Sequence, residues 1–132
     1  MQKVGMAILP LLDTASYAKK YGTMTDAPAL TRDNPILAKF RDALAEIYGD
    51  RVERVVLFGS RARGDAQPDS DYDVAVFLRD MPNRWAEWDR LTRLAIPFMD
   101  EDVVIQVVPF RTSDFDRRTP IMHEIRKDGL TL

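Results

Sequence analysis

The stretch Leu57-Phe58-Gly59-Ser60-Arg61-Ala62-Arg63-Gly64, with Ser70-Asp71-Tyr72-Asp73-Val74-Ala75-Val76 soon after it, decides how this chain folds. Val55-Val56-Leu57-Phe58 is a continuous apolar run, the pattern of a strand buried on both faces, and it stops at Gly59-Ser60. Asp71 to Leu78 reads as a second strand, brought back beside the first by a turn that contains Gly64, Pro68 and Asp69-Ser70. Gly59 has no β-carbon, so the backbone there can come close to a ligand. The N–H groups that follow it lie at a strand end or helix start, where phosphate is favoured, and Ser60 adds a hydroxyl. Strand side chains alternate, so Asp71 and Asp73 point from the same face toward one ion. Two adjacent unpaired carboxylates repel, and a hard cation such as Mg²⁺, carrying phosphate oxygens, relieves that repulsion. Arg61 and Arg63, between the two strands, offer fork-shaped donors for phosphate.

Working outward, Asp33 or Asn34 can cap a helix whose first turn holds Pro35 and whose apolar stripe is Ile36, Phe40, Leu44 and Ile47, ending at Gly49. Beyond the second strand, Pro82 opens a helix in which Trp85, Trp88, Leu91 and Leu94 recur until Pro97. The two tryptophans read as core or partner-facing packing, and the charges around them (Arg79, Arg84, Arg90 and Arg93 with Asp80, Glu87 and Asp89) as a solvated helix surface. Val103 to Val108 is a third strand closed by Pro109. Thr119-Pro120 starts a last helix that turns Ile121, Met122 and Ile125 inward and ends at Gly129, leaving Leu130 to Leu132 for a short strand or packed tail. The order of elements predicts an α/β (α+β) domain, a small mixed sheet flanked by helices, over residues 33–132. Residues 1–32 have no sustained period and read as an N-terminal extension, with a flexible extension, a partner-binding arm and a mis-assigned start as open alternatives.

Composition limits the rest. A chain of 132 residues that is 45% hydrophobic suits one domain with a modest core. With no cysteine there is no disulfide framework, thiolate zinc site or cysteine nucleophile, which fits a cytoplasmic location. The apolar run from Val4 to Leu12 is interrupted by Pro10 and falls far short of the ~20 residues a membrane span needs. A net charge of −2 gives no general attraction to nucleic acid, so phosphate binding has to be local and a nucleic-acid template is not expected.

Gly59-Ser60, ten intervening residues and then Asp71-Tyr72-Asp73 resemble the signature of the polymerase-β-like nucleotidyltransferases. The longer quoted stretch is similar to their minimal members in prokaryotes, many of which are antitoxins beside a helical toxin of the HEPN fold. The likeness runs from about Pro35 to the C-terminus. It implies that Gly59 and Ser60 hold the β- and γ-phosphates of ATP or another NTP, that Asp71 and Asp73 hold Mg²⁺ at a site of one or two metals, and that NMP passes to a hydroxyl with release of pyrophosphate. The acceptor expected is a partner protein.

One position departs from that pattern. The resemblance implies a third carboxylate on the next strand, and aligning Ile105-Gln106-Val107-Val108 with it puts Gln106 there. An amide coordinates weakly and cannot act as a base. Asp102 has the right strand parity but lies over ~13 Å earlier along the strand, so it substitutes only in a different register; with Asp100 and Glu101 it reads as a solvated turn. Two rival readings follow: a binding-only module that neutralises its partner by docking, and an antibiotic-type small-molecule nucleotidyltransferase. The latter would need a second domain that this sequence does not contain.

Overall fold

A computed structural model describes residues 34–132. The expected extension over 1–32, and Asp33 with it, lie outside the described residues. Helix α1 (Pro35–Tyr48) is capped by Asn34, whose side chain accepts from the Ile36 amide. Strand β1 (Val52–Phe58) runs into a single-turn helix α2 (Ser60–Arg63), and β2 (Tyr72–Leu78) returns antiparallel to β1. Helix α3 (Arg84–Ala95) then crosses to β3 (Ile105–Arg111), parallel to β2, and α4 (Pro120–Asp128) leads to β4 (Leu130–Thr131), antiparallel to β1. The sheet order is β3-β2-β1-β4, the mixed sheet expected.

Strand alternation sends the central apolar run to both faces, and each face has its own cover. On one, Val55, Leu57, Val74, Val76 and Leu78 pack with Leu37, Phe40 and Leu44 of α1 and with Leu91 and Ala95 of α3. On the other, Val56, Phe58, Ala75 and Phe77 meet Phe110 and, from α4, Met122 and Ile125. At ~25 cal/mol per Å² of apolar area withdrawn from water, this two-sided burial is the main source of stability.

Four sequence expectations shift. In α1 the buried stripe is Leu37, Phe40, Leu44 and Tyr48, while Ile47 is 48% exposed; the helix is rotated so that the tyrosine ring, with a partner for its hydroxyl, takes the inner place. Helix α3 starts at Arg84, not Pro82, because the Asn83 side chain accepts from the Ala86 amide and so fixes the first turn. Trp85 is 74% exposed, stacked on Trp88 outside the core, whereas Glu87, expected on the solvated surface, is buried. Strand β3 continues through Pro109 to Arg111, since it is an edge strand and a proline lacking an N–H costs no ladder bond on its open side.

Candidate functional site

Gly59 links β1 to α2 with φ 77° and ψ −158°, a conformation essentially limited to glycine. A β-carbon there would run into Asp73 Oδ2. The residue is thus required twice, by its own backbone and by the carboxylate packed against it. Behind it the amides of Ala62 and Arg63 both donate to the Gly59 carbonyl, which closes the turn of α2. Among the described residues the amides of Ser60 and Arg61 find no backbone acceptor, so they remain available at the start of this turn.

Phe58 is opposite Asp73 across β1 and β2, and Asp73 is opposite Gln106 across β2 and β3. Asp71, Asp73 and Gln106 therefore share the face that α4 covers further along the sheet, and the α4 side of the sheet ends in two carboxylates and an amide. Gln106 Nε2 donates to Asp71 Oδ2 at 3.2 Å. The register settles which residue occupies the β3 position: it is Gln106, while Asp102 lies before β3, exposed, with its amide donating to Asp100 Oδ1. Burial, then the charge of Asp71 and then that of Glu124, push the Asp73 carboxyl above its ordinary range, against an opposing pull from Arg63. Among the described residues no group of three or more His, Cys, Asp or Glu is arranged to hold a metal ion.

The two arginines of the loop have protein partners. Arg61 donates to the Ser70 carbonyl at 3.0 and 3.2 Å and to the Pro68 carbonyl at 3.1 Å, with its guanidinium 4.4 Å from the centre of the Tyr72 ring. It fastens the turn that brings Asp71 beside Gly59. Arg63 contacts Asp65 at 3.3 Å and Glu124 at 3.0 Å. Sequence reading did not single out Glu124; the signal available was the short tail after Gly129, whose return to β1 lays α4 across the site. At the entry to α1, Asn34 Nδ2 donates to the Tyr72 hydroxyl at 3.3 Å, so the first described residue adjoins the Asp71-Tyr72-Asp73 segment.

A glycine turn at the end of a central strand, with paired carboxylates on the neighbouring strand of a small mixed sheet, is the polymerase-β-like nucleotidyltransferase fold. The model of the nucleotidyltransferase domain family matches residues 37–128, and the chain belongs to that family. It is 28% identical over 96 residues to a Methanocaldococcus jannaschii protein named "Putative protein adenylyltransferase MJ0141", which covers 72% of this chain and 93% of the relative. Among solved structures, a protein from Sulfolobus solfataricus described as a "putative nucleotidyltransferase" is 22% identical at a TM-score of 0.51, over 83% of this chain and 88% of that one. A structure of the toxin–antitoxin MntA-HpeT superposes at 0.53 with 24% identity, over 73% of this chain and 70% of the neighbour. Both likenesses show the fold. Among the described residues, no helix is long and apolar enough to cross a membrane.

Proposed function

We propose that this nucleotidyltransferase moves an NMP group, AMP from ATP, onto a hydroxyl of a partner protein, in the cytoplasm, as the antitoxin of a pair with a helical HEPN-type toxin. The observation that carries the nucleotide reading is the contact of Gly59 with Asp73. It sets backbone amides beside a carboxylate pair, so the phosphates and the cation of an Mg²⁺–triphosphate can be engaged together. The residues fit such a cation: Asp71 and Asp73 lie on one face beside Gln106, and a divalent ion held by them would offset the part of the Asp73 rise that comes from the charge of Asp71, burial being the larger part. When bound, Mg²⁺ would neutralise charge that develops on the phosphates. Asp71 and Asp73 would hold it, Gly59 and Ser60 would receive the β- and γ-phosphates, and Arg63 would add a charged donor. Arg61 would act chiefly by holding the Pro68–Ser70 turn in place. The names of the relatives support an adenylyl donor and a protein acceptor, and the MntA-HpeT likeness supports an antitoxin role.

Gln106 favours a second reading, a module that binds its partner with weakened or no catalysis, because its amide occupies Asp71 and cannot take a proton from the acceptor. The two readings separate on incubation with each labelled NTP and Mg²⁺, with and without the product of the adjacent gene. Label on the partner, greatest with ATP and reduced more than about a thousandfold in Asp71→Asn/Asp73→Asn, is expected for the transferase, since the metal site supplies several kcal/mol. Tight partner binding with no label, unaffected by the double substitution, would leave the binding-only module.

A further inference from the structure

Arg63 ends α2, the helix that starts at the nucleotide loop, and two carboxylates share its guanidinium: Asp65, two residues away, and Glu124, sixty-one residues on in α4. The position of α4 does not depend on this pair. Met122 and Ile125 are buried against Val56, Phe58 and Phe77, and the strand after the helix is bonded to β1. Glu124 is thus delivered to the site by a helix already fastened through its apolar face. Both partners are more than a third exposed, at 39% and 38%, and an ion pair of that exposure adds little to folding. The pair is weak where strength would be needed for architecture. It is also placed where exchange is easy, in water and at the end of the turn that begins with the available amides of Ser60 and Arg61. The charges of Glu124 and Arg63 both reach Asp73, with opposite sign, so both lie at the edge of the carboxylate site. Asp128 is the other acid whose charge is felt by Arg63.

We infer that Glu124 is a positioning residue that competes with the triphosphate for Arg63, so that the protein's nucleotide affinity is set from α4. This rests on the nucleotide reading of Gly59, Ser60, Asp71 and Asp73 given above. Glu124 and Asp65 neutralise Arg63 and hold its fork on the α4 side. An arriving phosphate offers the same planar donor set a more highly charged acceptor, and Arg63 changes partners. Glu124 then loses its counter-ion close to Asp73, which opposes nucleotide binding. The acid on α4 therefore lowers affinity, and it does so through one arginine.

The test is calorimetric titration of a non-hydrolysable ATP analogue with Mg²⁺ into the full chain, its Glu124→Gln and Arg63→Met variants, and the double variant. Glu124→Gln is expected to tighten binding about two- to fivefold, the range an exposed ion pair can supply, while Arg63→Met weakens it. In the Arg63→Met background the Glu124→Gln change should have no effect, because its target is gone. Unchanged affinity in folded Glu124→Gln and Glu124→Ala proteins overturns the inference. So does tightening that persists without Arg63, which would be plain repulsion, or lost transfer at unchanged affinity, which would make Glu124 a catalytic carboxylate. If the unaltered protein binds no nucleotide, the site reading fails first and this inference with it. Tight Mg²⁺-dependent binding that is indifferent to Glu124 fails this inference alone.

Discussion

The two ends of the β1–β2 ladder treat a carboxylate withdrawn from water, Glu87 buried and Asp73 partly so, in opposite ways. At the far end, burial by itself would raise the Glu87 carboxyl, but the Tyr48 hydroxyl donates to Oε2 at 2.6 Å and Arg51 to Oε1 at 2.7 Å, and together they hold it below its ordinary range. Arg51 also donates to the Asp80 carbonyl, which ties the turn after β2 to the approach of β1. At the near end, burial raises Asp73 and its neighbour Asp71 raises it further, while the cation that opposes them, Arg63, is shared with Glu124 and Asp65. The same fold can evidently compensate a buried acid from its own side chains. Where it leaves one uncompensated, beside a glycine turn with available amides, the missing charge is expected to come from outside.

That contrast can be broken from either end. Glu87→Ala should have the largest effect on stability, about 2–3 kcal/mol by chemical denaturation, because it leaves the Tyr48 hydroxyl and the Arg51 guanidinium without their acceptor. Gly59→Ala should cost about 2 kcal/mol from the positive-φ backbone alone. It should also turn the Asp73 carboxylate away from its position, so nucleotide transfer fails even where the protein remains folded. Asp73→Asn should act in the reverse direction and raise the melting temperature at neutral pH, since it removes a charge that burial and Asp71 disfavour. Sign distinguishes the two acids on titration. The folded state holds Asp73 above its unfolded value, so its ionisation opposes folding at neutral pH, and that penalty fades as pH falls through the raised value. Glu87 is held below its unfolded value, so its contribution is complete above the ordinary carboxylate range and is lost as pH falls through the lowered value. Acidification of the unaltered protein should therefore first relieve the near end and then weaken the far one, and Asp73→Asn should lose its advantage over the parent in acid.

The site was more legible in sequence than the far end, and the reason is range. Gly59, Ser60, Asp71 and Asp73 lie within fifteen residues, and strand parity with one turn suffices to bring them to one face. Placing Gln106 needed the β2–β3 register, which only the alignment with the family's pattern suggested and the pairing of Asp73 with Gln106 fixes. The partners of Glu87 lie 36 and 39 residues away on elements whose rotation no local pattern states. Ile47 and Tyr48 show the same limit. Periodicity favoured the isoleucine for its apolarity, whereas the fold buries the tyrosine because its hydroxyl finds Glu87. Glu124 was hidden for a related reason, since its meeting with Arg63 depends on how β4 returns to β1.

The most direct test of an uncompensated site is thermal unfolding with Mg²⁺ alone, ATP alone and both together, for the parent chain and for Asp71→Asn/Asp73→Asn. The parent should gain most with both present, by about 2.7 kcal/mol at a hundredfold excess over Kd, and the double variant, though more stable at rest, should gain little. An equal gain in the two proteins would contradict the assignment of the cation and triphosphate to Asp71 and Asp73.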